Sequence, residues 1–151
     1  MGDLLASGEL VAAIGVETDS PNVKPLISDP LEAGISALRR NGHYPINHTV
    51  VIRDELLQQR PGLAADVFAA FAMAKRIYMD RLRNGQIEKP TETDRLHKRV
   101  MEITGDPLPY GIEPNRRMIE ELIRHAQTQK IIDRPVSVEE LFAPGTERLI
   151  A

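Results

Sequence analysis

The stretch GHYPINHTVVIRDEL, residues 42–56, decides how this chain is read. Gly42 suits a turn, and Pro45 pushes Tyr44 towards an extended backbone. HTVVIR, residues 48–53, is rich in β-branched side chains and is expected to form a strand. Asp54 then opens a short helix to Arg60, stopped by RPG. A strand needs neighbours, so the first question is which sheet this one joins. The second is why its doorway carries His43, Tyr44, Asn47 and His48.

On the N-terminal side, LVAAIGV at 10–16 is apolar at every position. Such a run predicts a strand covered on both faces, as in α/β folds. A helical turn over 2–7 precedes it, with Gly8 placed to end the turn. NVKPLI at 22–27 is a weaker strand, which Pro25 confines to an edge. SDPLEAGISALRRNG predicts a helix with Pro30 at its first position, Asp29 or Ser28 as cap and Gly42 as stop. Leu31, Ile35 and Leu38 form its apolar stripe.

On the C-terminal side the periodicity is helical. Leu63, Val67, Phe71, Ala74, Tyr78 and Leu82 recur every three or four residues, which predicts a helix over 63–84. Thr91 and Asp94 suit the start of another over 93–104, with Leu96, Val100 and Ile103 inward and Gly105 at its end. DPLPYGIEP is a rigid connector. A helix over 114–129 would turn Ile119, Leu122, Ile123 and Ala126 inward. Ser137 and Glu140 stand at capping-box spacing and predict a last short helix.

Two good strands and one doubtful one thus face five or six helices. A strand buried on both faces needs neighbours on both sides. Either 10–16 and 48–53 pair with each other, or further strands come from another chain or from more of a longer protein.

Composition bounds the classes. The 151 residues are 42% hydrophobic and 27% charged, which fits a globular chain able to bury a core. A net charge of −3, with scattered Lys and Arg, argues against a nucleic-acid partner. There is no cysteine, hence no disulfide and no thiol nucleophile. The start of the chain lacks a basic n-region and makes a poor signal peptide, so a cytoplasmic location is expected. No apolar run approaches a membrane span of about 20 residues, so no membrane partner is expected.

The stretches LLASGELVAAIGV, YPINHTVVIRDELLQQRPGLAADVFAAFAMAK, DPLPYGIEPNRRMIEELIRHAQTQKII and VEELFAP together resemble the C-terminal part of the 4,5-dihydroxyphthalate decarboxylase family. The resemblance runs from about Leu4 to Pro144, and its strongest pieces are YPINHTVVIRDEL and PYGIEPNR. That family is similar to type 2 periplasmic binding proteins, in which two α/β lobes hold a ligand between them. The resemblance implies a helix-rich α/β chain that forms a partial lobe with few strands. Residues 1–17 would end the second lobe, 18–47 would form the crossing segment and its helix, and 48–151 would be the C-terminal part of the first lobe. Family members are about twice as long, so a fragment, a split gene or a short paralogue is expected.

The activity implied is decarboxylation of a hydroxylated aromatic dicarboxylate. Such a reaction needs donors for a carboxylate and an acid that protonates the ring carbon. A histidine can be that acid, because its ordinary pKa is about 6.5. The resemblance places His48 as the catalytic acid at the cleft. Tyr44, Asn47, Glu17, Tyr110 and Arg116 are placed as substrate-binding residues. Plainer readings stand beside these. His48 could only satisfy a neighbouring backbone group, and Asn115 and Arg116 could only lock the PYGIEP turn. His43, His97 and His125 read as surface residues. His43 and His48 do not make a ligand set, so no metal is expected, and the sequence leaves the cofactor open. Two other readings survive: a non-catalytic solute-binding protein of the same fold, or an inactive remnant that oligomerises through strand edges. A homo-oligomer, or a partner chain that supplies the missing strands, is expected.

Overall fold

Capping chemistry and apolar spacing place six α-helices along the chain. The structure is a computed structural model that describes residues 1–151. The helices are α1 (Gly2–Ser7), α2 (Pro30–Asn41), α3 (Asp54–Gln59), α4 (Leu63–Arg83), α5 (Glu92–Thr104) and α6 (Arg116–Thr128). Single 3₁₀ turns form at Glu113–Asn115 and Glu139–Leu141. Helical residues make up about half of the chain. No helix is long and apolar enough to cross a membrane.

The helix ends follow the sequence closely. The Asp29 carboxylate accepts the Glu32 N–H at 2.9 Å, with Pro30 in the first turn. Gly42 adopts φ 68°, a conformation that costs a side-chain-bearing residue energy, and donates its N–H to Leu38 O at 2.8 Å. Thr91 and Asp94 form a reciprocal capping box at the start of α5. Ser137 gives both its N–H (2.7 Å) and its hydroxyl (3.0 Å) to one Glu140 oxygen. The helix expected there is only the 3₁₀ turn Glu139–Leu141.

No strand forms. The segments 10–16, 22–27 and 48–53, all expected to be β, carry no ladder, and the sole β-bridge joins Gly111 to Ile150. The backbone of residues 11–16 and 44–52 makes no backbone–backbone hydrogen bond. Val11 and Ile14 are fully exposed and Val51 is 87% exposed. The physical reason is a shortage of partners. Propensity for β structure is stabilising only when cross-strand neighbours are present, and the two good segments do not pair with each other.

Two small cores hold the helices. In one, Ile35 and Leu38 of α2 pack on Val100 of α5, with Tyr44, Leu96 and Ile103 around them. Arg99 of α5 also reaches Glu32 of α2 at 2.7 Å. In the other, Ile119 of α6 packs with Ile112 and Val138, flanked by Ile46, Ile123 and Phe142. The 42–56 stretch therefore threads both cores through Tyr44 and Ile46. Helix α4 lies against α3 and α5. Its buried face is Lys75, Met79 and Leu82. Of the expected stripe, Leu82 is buried and Leu63, Val67 and Tyr78 are half-buried, whereas Lys75 and Met79 are buried in place of Ala74, and Phe71 is half exposed. Leu31 and Leu122, expected inward, are also largely exposed.

Leu38→Ala empties a site at the centre of the α2–α5 core, and should lower stability by about 2–5 kcal/mol in urea denaturation. The Ser137 hydrogen bonds, then the Arg134 contact, lower the Glu140 pKa from 4.5 to about 2. A depressed carboxylate contributes stability above its unfolded value, and that contribution fades as pH falls from about 4.5 towards about 2. Carboxyl-carbon NMR should place the Glu140 midpoint near that lower value, and Ser137→Ala should raise it.

Candidate functional site

Two of the loops that the sequence marks out meet at one place. Tyr44, from the segment after α2, donates its hydroxyl to the Pro107 carbonyl at 2.9 Å. Pro107 is fully buried. Lys75 reaches the same loop from α4. Its Nζ lies 2.6 Å from Asp106 Oδ2 and 5.2 Å from the centre of the Tyr110 ring. The Lys75 side chain is 8% exposed and that of Asp106 is 38% exposed. Burial first, and the Asp106 charge second, raise the pKa of Tyr44. The Tyr44 hydroxyl therefore stays protonated, and a donor, throughout the neutral range.

The DPLPYG loop is shaped to make this junction. The second Asp106 oxygen accepts the Leu108 N–H at 2.9 Å, closing a turn by side chain. Asn115 Nδ2 donates to the carbonyls of Pro109 (2.7 Å) and Gly111 (2.8 Å), so Asn115 locks the loop onto the start of α6. The Tyr110 main chain pairs with Ala151 in both directions. Gly111 is required here: φ is 108°, and a Cβ would collide with the Leu149 carbonyl.

Chemically the junction is a latch with aromatic walls. Asp106 neutralises the Lys75 ammonium, and Tyr110 adds a cation–π contact. Tyr44 bonds to its loop at Pro107, and Tyr110 lies beside its ammonium. The other expected site residues lie elsewhere. His48, Asn47 and Glu17 are exposed and have no side-chain hydrogen bond or ion pair within the chain. Arg116 sits between Glu113 (2.6 Å) and Glu139 (2.8 Å), which occupy its guanidinium and tie the start of α6 to the second 3₁₀ turn. His43 faces Glu121 at 3.5 Å. A shallow groove open to solvent runs between α6 and Val136–Glu139, edged by Arg116, Glu120, Arg124 and Glu139. No group of three or more His, Asp or Glu side chains could hold a metal ion.

Sequence reasoning missed Lys75 and Asp106. A signal was available: Lys75 interrupts the apolar face of α4, four residues after Phe71 and four before Met79. It also misplaced His97. That ring is half-buried and stacks edge-on against Tyr78, with centroids 5.8 Å apart. The Tyr78 hydroxyl donates to Asp94 at 2.7 Å, and His97 Nδ1 lies 2.9 Å from the same oxygen. A phenol has one proton, so His97 must be the Nδ1–H donor. Burial lowers the His97 pKa, and Asp94 opposes this.

The chain's similarity is to a decarboxylase. It is 28% identical over 155 residues to 4,5-dihydroxyphthalate decarboxylase from Comamonas testosteroni. The alignment covers 97% of this chain and 47% of that protein, so the chain spans about half the length of the relative. No family model matches the chain, and no solved structure does.

Lys75→Ala should remove the latch. Exposed ion pairs contribute about 0–1 kcal/mol, whereas breaking a buried pair costs about 3–5 kcal/mol. Asp106 is part-exposed, so the loss should be about 2 kcal/mol in urea denaturation. Lys75→Met, which keeps the buried methylenes, should lose less.

Proposed function

We propose that this protein acts in the decarboxylation of a hydroxylated aromatic dicarboxylate of the 4,5-dihydroxyphthalate type. The observation that carries this is the similarity to 4,5-dihydroxyphthalate decarboxylase along 97% of the chain. We place residues 1–17 and 48–151 on two lobes of a periplasmic-binding-protein-like cleft, with 18–47 crossing between them. The exposure of Glu17, Asn47 and His48 supports this reading, because residues facing a second wall must be free of partners within their own lobe.

His48 serves as the acid in this scheme. Its imidazolium delivers a proton to the ring carbon that bears the reacting carboxylate. The electron pair of the carbon–carboxylate bond then returns to the ring, carbon dioxide leaves, and solvent reprotonates the imidazole. The ring hydroxyls make that carbon electron-rich enough to accept the proton. Asn47, next to the acid in sequence, orients the substrate, and Tyr44 would do so only by releasing the Pro107 carbonyl. Tyr110 stays beside the Lys75 ammonium. Arg116 would offer its fork to the second carboxylate only by exchanging one of its two glutamates.

Carbon dioxide release from 4,5-dihydroxyphthalate is the direct test. In a full-length relative with activity, replacing the residue that matches His48 by Ala should lower turnover by about a hundredfold or more, while replacing the one that matches His125, on an exposed part of α6, should leave it unchanged. A rise in KM with turnover preserved would make His48 a positioning residue. Binding of the compound without gas release would identify a non-catalytic solute-binding protein. If the compound is neither bound nor decarboxylated, the reading is overturned.

A further inference from the structure

The exposed surface is far larger than a chain of this size needs. The protein exposes 11796 Å². A compact 16.9 kDa chain exposes about 7,700 Å², so the excess is about 4,100 Å². Only 10 of 151 residues are buried, which leaves most of the apolar side chains to be covered by something else.

The excess is concentrated on recognisable segments. Val11 and Ile14 are each 100% exposed, in a run that is apolar from Leu10 to Val16. Val50 and Val51 are 61% and 87% exposed, in the β-branched run that begins at Thr49. Neither run carries a charged side chain, and their backbone groups from Val11 to Val16 and from His48 to Ile52 are unpaired. Residues 43–53 already run without a turn or bend. Segment 10–16 is bent at Gly15, at φ 69°, and glycine can rotate to an extended conformation at little steric cost. These features define two strand edges without the lysines, prolines or bulges that keep edges apart.

We propose that the occupant of these edges is a second copy of this chain, joined about a two-fold axis. A second copy supplies an identical unpaired edge for each segment, so each run pairs with its own equivalent and the two runs of one chain need not meet. Identical segments related by a two-fold axis pair antiparallel, setting apolar positions against apolar positions. Obligate dimers commonly bury about 2,000–5,000 Å² in total, half from each chain, and the excess surface is large enough to provide it. The small net charge of −3 offers little repulsion between copies.

Light scattering on the intact chain, combined with hydrogen exchange, tests this. A particle of twice the chain mass is expected, with slowed exchange at residues 11–16 and 48–52. Val11→Lys with Ile14→Lys, and separately Val51→Lys, should yield a monomer whose far-UV helix signal is unchanged, because these side chains are almost wholly exposed within one chain. A monomer at every concentration, with both segments exchanging freely, would overturn the proposal and assign the edges to a different polypeptide. A dimer that survives both sets of substitutions, or one whose two segments exchange freely, would also overturn it. So would open-ended polymers, which two-fold closure forbids.

Discussion

Backbone N–H and C=O groups removed from water must be hydrogen-bonded, and a lone strand cannot do this for itself. That constraint governs the whole chain. Helices close their own hydrogen bonds, so α1 to α6 form wherever caps and apolar spacing allow. The segments 10–16 and 48–53 have the composition of strands and none of the required neighbours. They remain unpaired, and the molecule is divided between a formed helical part and segments that carry no regular structure. The two small cores follow from the same division, because helices of this length bury little when no sheet lies beneath them.

Within the helical part, long-range order depends on a few polar junctions. The DPLPYG loop is the main one. Asp106 shapes its own turn and holds Lys75; Pro107 accepts the Tyr44 hydroxyl; Asn115 fastens the loop to α6; and Tyr110 pairs with the last residue. One loop thereby joins α4, the segment after α2, the start of α6 and the C-terminal residues. A second junction, Asp94 with Tyr78 and His97, ties α4 to α5 and uses a helix cap as its anchor. These contacts join residues from different motifs, which apolar packing alone would not specify.

The distribution of polar partners separates structural from available groups. Arg116 and Lys75 are engaged by carboxylates, and His97 by Tyr78. Glu17, Asn47 and His48 have no such partners and flank the two unpaired strand segments.

The sequence by itself determined the helices and their ends. Asp29, Pro30, Gly42, Thr91, Asp94 and Gly105 act through bonds to residues a few positions away, so their effect is local and readable. The inward positions Ile35, Leu38, Val100 and Ile119 were equally legible, since a 3.6-residue period leaves little choice of face. The tertiary structure alone decided the rest. Whether 48–53 becomes a strand depends on neighbours distant in sequence or in another chain. The face that α4 buries was settled by Asp106, thirty-one residues on, which draws Lys75 inward at the expense of Ala74. His97 left the surface because Tyr78, nineteen residues away, offered it a hydrogen bond and an aromatic face. Such pairings act through space, and local periodicity carries no record of them.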